Sequence, residues 1–150
     1  MSRRNAFLLI PVVLLLSGCG SGVDVSEEAL DQMAGGKRKE TVAVSGKVSI
    51  GGTPSGDVVI YAYPKEGGVK PVGETRTAQD GTYCWTTYKM CDGLPAGEYR
   101  MAFVHTPKEG KGKKVGEDLL QGRYKDPTKS EFFLVVVSGT PQTDVNYELK

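Results

Sequence analysis

The 150 residues include a single histidine, and that scarcity removes most histidine-dependent catalysis and most metal sites before any motif is sought. Charge of one sign is lacking too. The 19 basic residues face 18 acidic ones, and a net +1 creates no field that gathers nucleic acid. No apolar run is long enough for a permanent membrane span, since Ala6 to Leu16 falls well short of the roughly 20 residues a spanning helix needs. Long amphipathic helical patterns are missing as well. Glycine is plentiful, at 20 residues with 8 prolines beside it, which means many turns around an apolar share of 39%. Charged residues make up 25%, a usual share for a folded protein, and the length allows one domain.

Arg3 and Arg4 precede the apolar run and small residues follow it, which is the layout of an export signal. Leu16-Ser17-Gly18-Cys19 resembles a bacterial lipobox, in which the thiol is diacylated and the peptidase cuts just before it. Small residues at 17 and 18 suit a narrow protease site, and Cys19 supplies the nucleophilic sulfur. The alternative is ordinary secretion with an incidental cysteine. The expected organisation is a lipoprotein signal peptide over 1–18, a lipidated N-terminus with a flexible tether over 19–40, and a folded domain over 41–150. Loss of 1–18 removes both arginines and leaves 17 basic against 18 acidic residues, a charge of −1. Two ester-linked chains and a third on the new amine anchor stably where a single chain is marginal. Gly20 in place of aspartate resembles lipoproteins sorted to the outer membrane. The expected location is the bacterial cell envelope, on the periplasmic or surface face of that membrane.

Within the tether, Ser26-Glu27-Glu28 can start a short helix through Met33, with acids at its positive end, although two turns alone are marginal. From Thr41 the apolar period changes to two. Val42, Val44, Val48 and Ile50 alternate with polar or small residues, as in a strand with one buried face. Further strands are expected over Asp57–Tyr63, Val72–Ala78, Thr82–Thr87, Tyr99–His105, Glu131–Val137 and Thr143–Leu149. Asp80-Gly81 supplies a tight turn, and Tyr99, Met101 and Phe103 share a face. Seven short strands separated by turn signals favour an all-β antiparallel sandwich over a parallel sheet. Thr106–Ser130 is a long connection, in which one helical turn at Glu117–Gln121 is expected to pack Leu119 and Leu120.

Val44-Ser45-Gly46-Lys47-Val48, Gly56-Asp57-Val58-Val59-Ile60, Asp80-Gly81-Thr82-Tyr83 and Pro95-Ala96-Gly97-Glu98-Tyr99 resemble the carboxypeptidase regulatory-like domain. With Thr86-Thr87-Tyr88-Lys89, Glu117-Asp118-Leu119-Leu120 and Gly122-Arg123-Tyr124-Lys125-Asp126-Pro127, the pattern behind a lipobox resembles small planctomycete-type lipoproteins built on that domain. The resemblance covers about residues 41–150. It implies a transthyretin-like, seven-strand antiparallel Greek-key sandwich and an envelope location more than any activity. Transthyretin-like folds include a hydrolase of 5-hydroxyisourate, but its site needs several histidines and a distinctive C-terminal motif. One histidine and the sequence Tyr147-Glu148-Leu149-Lys150 do not match it.

Once Cys19 is lipidated, Cys84 and Cys91 remain, and an even pair in an exported domain points to a disulfide. Two free thiols are the alternative, and a metal pair has no third ligand nearby. The resembled pattern usually lacks both cysteines. Alternation puts Tyr83 and Trp85 inward and Cys84 outward, so the bond would tie a strand to the following loop on the surface. Its eight-residue ring is worth about 2.5 kcal/mol in the chain-entropy model. His105 stands at a strand end without a partner motif. Lys108, Lys111, Lys113 and Lys114 form a basic stretch that Glu109, Glu117 and Asp118 largely offset, a solvated loop or a contact for anionic envelope polymers. Trp85 belongs to the core, whereas Tyr88 and Tyr124, on loops, are candidates for stacking on sugar rings. Asp57, Asp80 and Asp92 fall at turns, where carboxylates cap amides more often than they bind calcium.

The expected function is a non-catalytic, lipid-anchored envelope protein that acts as a structural or protein-interaction module. The alternative is a polysaccharide-binding module. The expected partners are the membrane, through the N-terminal lipid, and an envelope protein or polysaccharide. Neither a cofactor nor a nucleic acid is expected.

Overall fold

The structure is a computed structural model that describes residues 26–106 and 116–150. The signal peptide, Cys19, the start of the tether and Lys108, Lys111, Lys113 and Lys114 lie outside the described residues. Among those described, no helix is long and apolar enough to cross a membrane.

The described residues are mostly strands with one short α-helix, in largely antiparallel sheets, so the all-β expectation holds at that level. One four-stranded sheet has the order β5-β4-β8-β9, from β4 (Val58–Pro64), β5 (Gly73–Arg76), β8 (Gly97–His105) and β9 (Phe133–Val136). Its central pair, β4 and β8, runs in register from Val58 opposite His105 to Pro64 opposite Tyr99. The second sheet centres on β2 (Ser45–Ile50), flanked by β3 (Thr53–Pro54) and β6 (Thr82–Cys84) on antiparallel ladders and by β10 (Tyr147–Leu149). A small ladder joins β1 (Thr41–Val42) to β7 (Leu94–Pro95).

Both sheets feed one buried cluster. Val48, Tyr83, Tyr147 and Leu149 from the second sheet meet Ile60, Met101, Phe103 and Leu134 from the first. The alternation read from the sequence selects these side chains, because every second residue of a strand faces the same way.

Two strands, β10 and β6, depart from their expected form. The direction of β10 is one: it runs parallel to β2, with Tyr147 beside Val48 and Leu149 beside Ile50. After β9 the chain crosses from one sheet to the other, Gln142 making a parallel bridge to Val44, so no hairpin reverses its direction. Its ladder also starts late, since the Lys47 amide donates to the Asn146 side-chain oxygen at 2.8 Å in place of a backbone partner. Finally, β6 stops at Cys84, because Thr86–Asp92 curls into a closed loop. In the long connection, Leu120 is buried while Leu119 is exposed. The segment is a turn and not a helix, held by Asp118, whose carboxylate accepts from the amides of His105, Leu120 and Gly122.

The helix α1 (Glu27–Met33) forms where Ser26 caps it, the Ser26 Oγ accepting from the Ala29 amide at 3.2 Å. Two turns are marginal alone, yet this helix has partners. Leu30 is buried, and the Glu27 carboxylate accepts from both Arg38 and Lys89.

Candidate functional site

The two remaining cysteines are joined: Cys84 and Cys91 form a disulfide with their Cα atoms 5.2 Å apart. Cys84 sits on the outward side of β6, as alternation requires, with Tyr83 and Trp85 buried on the other side. The loop that the bond closes is also held by hydrogen bonds. The Asp92 carboxylate accepts from the amides of Thr87, Tyr88 and Lys89 at 2.7, 2.9 and 3.0 Å. The Cys91 amide donates to Thr86 Oγ1 at 3.0 Å, and the Gly93 amide to the Trp85 carbonyl at 2.9 Å. Glycine is required at 93: its φ is +95°, and a Cβ there would lie 1.7 Å from the Val42 carbonyl oxygen.

Tyr88 and Tyr124 are each half-buried and engaged. The Arg38 guanidinium lies over the Tyr88 ring, 5.8 Å from its centre, and the Tyr88 hydroxyl accepts from the Lys39 amide at 3.3 Å. Tyr88 thereby borders an open cleft of about 550 Å³ with Asp31, Lys37 and Lys89. Tyr124 packs on Phe132, with ring centres 5.9 Å apart, and its hydroxyl both donates to and accepts from the Lys150 backbone, at 2.9 and 2.8 Å. The structure does not bring the two tyrosines to one surface cleft among the described residues.

Trp85 is fully buried, its ring against the Gly73 backbone, and its Nε1 finds no hydrogen-bond partner among the described residues. Of the turn aspartates, Asp80 and Asp92 act as caps. Asp80 Oδ1 accepts from the Thr82 hydroxyl at 2.6 Å and from the Thr82 amide at 3.0 Å, and these bonds lower the Asp80 carboxyl below its usual range. Asp57 lies 3.6 Å from Arg76. Asp126 caps a 3-10 turn through Thr128 in the same way, with its carboxyl likewise lowered.

The outer face of the four-stranded sheet carries residues that the sequence reading passed over. Tyr63, Arg100 and Phe133 stand in one cross-strand row, Tyr63 opposite Arg100 and Arg100 opposite Phe133. The Arg100 guanidinium lies over the Phe133 ring at 6.0 Å, its Nη1 reaches the Thr128 carbonyl at 3.4 Å, and its enclosed Nε has no partner among the described residues. Beside the row lies a cleft of about 200 Å³, bordered by Tyr63, Lys65, Gly67, Gly68, Arg100 and Thr128. Tyr61 lies on the same face of β4, its hydroxyl pKa raised first by burial and then by Glu74. Val135 in β9 and Val137 just after it point outward with Phe133, each about half exposed.

The signal was present in the alternation. Ile60 and Ala62 face the core, so Tyr61 and Tyr63 face out; Leu134 and Val136 face the core, so Phe133 and Val135 face out. Another open cleft, of about 540 Å³, lies along β2, with Ser45, Lys47, Asp144 and Asn146 on its walls. No protein-family model matches the chain, and no curated protein matches it.

Proposed function

We propose that this chain is a non-catalytic binding module of the bacterial cell envelope, held to the outer membrane by lipid on Cys19. In this reading the sheets form the seven-strand, transthyretin-like Greek-key sandwich of a carboxypeptidase regulatory-like domain, and the chain is a lipoprotein of the planctomycete type. The observation that supports a binding role is the outward row of Tyr63, Arg100 and Phe133, large side chains spent on a sheet face and not on the core. Of the two partner classes, that row favours a polysaccharide, because aromatic faces pack against the C–H side of sugar rings and a guanidinium donates to their oxygens. The protein-interaction reading draws on the exposed stripe of Phe133, Val135 and Val137.

Co-sedimentation of the full chain, kept in detergent, with isolated envelope polysaccharide tests the reading. Retention that survives protease treatment of the polysaccharide supports the glycan partner. Retention lost on protease treatment overturns that partner in favour of a protein, and no retention in either case overturns the binding module itself.

A further inference from the structure

We propose that the cleft between Tyr63 and Arg100 holds a uronic-acid residue of an acidic polysaccharide. The proposal rests on the polysaccharide reading above and adds the charge of the ligand and the place where it is recognised.

Arg38, Lys65, Arg76, Lys89 and Lys129 each have a carboxylate within 4 Å. Among the described residues, Arg100 has no such carboxylate. Its side chain is half-buried, stacked on Phe133 and enclosed at Nε, so part of its hydration is lost without any anion taking its place. A desolvated, unpaired cation is unfavourable, and a carboxylate bound by the guanidinium fork relieves that cost with two parallel, charge-assisted hydrogen bonds. Lysine in the same place would be a point charge without that fork. Lys65, on the same cleft, is already matched to Glu98 and adds no net charge there.

The rings then select a saccharide over a simple anion. Strand β8 lies between β4 and β9, so the strands carrying Tyr63 and Phe133 are two sheet spacings apart, about 9.5 Å. That is near the length of one disaccharide unit in an extended glycan. A chain laid across the sheet would therefore rest alternate sugars against the two rings, with the intervening carboxylate over Arg100. The cleft of about 200 Å³ has room for one sugar ring, and Gly67 and Gly68 present no side chain to obstruct it. The ligand is recognised by one carboxylate at one fixed place, so charge density alone does not suffice.

Affinity electrophoresis of the detergent-solubilised full chain decides the matter. The probe gels contain either polygalacturonate or the same polymer with its carboxyls reduced to alcohols. Retardation by polygalacturonate, weaker by about tenfold or more with the reduced polymer and with Arg100→Gln, is the expected result. Tyr63→Leu is expected to weaken binding severalfold, and Arg100→Lys to give an intermediate affinity, because the charge stays while the fork is lost. Intactness of the disulfide and an unchanged near-ultraviolet dichroism spectrum show that each variant is folded. If Arg100→Gln does not fold, Tyr63→Leu and the two polymers carry the decision. Equal retardation by both polymers, or retardation unaffected by the substitutions, overturns the acidic-sugar site. Failure on polygalacturonate with retention on native envelope polysaccharide overturns this inference alone, whereas failure on both overturns the binding module as well.

Discussion

The hydroxyl of Tyr83 donates to the carbonyl of Val145 at 2.6 Å, across the point where Gly46 leaves β2 without a side chain. The three residues lock the incoming last strand to the centre of its sheet. A Cβ on Gly46 would lie 1.9 Å from the Val145 oxygen, so the close approach requires glycine for space and not for an unusual backbone angle. Burial also pushes the Tyr83 hydroxyl far above its usual pKa, which favours the protonated form that donates.

Gly46→Ala is expected to be among the most destabilising small substitutions, since the obstacle is backbone and the strand must move. Tyr83→Phe keeps the ring and removes only the donor, leaving a carbonyl that is short of a partner, at a cost of about 1–3 kcal/mol. Urea unfolding of both variants checks the order: Gly46→Ala below Tyr83→Phe below the parent. A Gly46→Ala midpoint equal to that of the parent would show that Val145 does not pack there.

Reduction of the Cys84–Cys91 bond is expected to lower stability by about 2.5 kcal/mol without unfolding the loop. The reason is the redundancy of its closure, in which Asp92 holds three amides independently of the sulfurs. Urea midpoints with and without reductant measure the first effect. Asp92→Ala in the reduced protein is expected to release the loop, seen as fast amide exchange at Thr87, Tyr88 and Lys89. Slow exchange in that variant contradicts the redundancy, and two reactive thiols at 84 and 91 in the unreduced, unfolded protein contradict the bond.

Cys19→Ser is expected to abolish partitioning into a detergent phase and to move the protein to the soluble fraction, because acyl chains supply the membrane affinity in the proposed reading. Unchanged partitioning would reject the lipid anchor.

Much of the fold was legible because burial imposes a period of two. Val58 to Pro64 and Gly97 to His105 form strands close to their expected limits, and Tyr99, Met101 and Phe103 share one face as expected, the buried one. The inward and outward assignment at Tyr83, Cys84 and Trp85 was correct for the same reason, and it placed the disulfide on the outer side. Direction was not legible, because side-chain alternation is the same for a parallel and an antiparallel neighbour; only the crossover through Gln142 decides how β10 runs. The engagement of the loop tyrosines was not legible either. Tyr88 and Tyr124 lie on connections, yet a backbone amide bonds each hydroxyl, and Arg38 covers the ring of Tyr88 as Phe132 does that of Tyr124. Tyr63, inside a strand, faces out because its neighbour Ala62 faces in.

The attachment of α1 to the domain makes a pH-dependent prediction. Glu27 accepts from Lys89 on the disulfide loop and from Arg38, and these bonds, the Lys89 one first, lower its carboxyl from 4.5 to about 2. A carboxyl whose folded pKa lies below its unfolded value stabilises the folded form fully above the unfolded value and loses that contribution as pH falls through the folded one. The docked helix is therefore expected to hold at pH 5 and above and to loosen progressively between about pH 4.5 and 2. The groups are solvent-exposed, so added salt weakens the same contact at neutral pH. Carboxyl-carbon NMR of Glu27 checks this directly: its titration is expected near 2, and Lys89→Ala is expected to move it towards 4.5. A Glu27 that already titrates near 4.5 in the parent protein would show that the helix does not rest on the loop. Residues 26–40 would then all belong to the tether, and the domain would stand correspondingly further from the membrane.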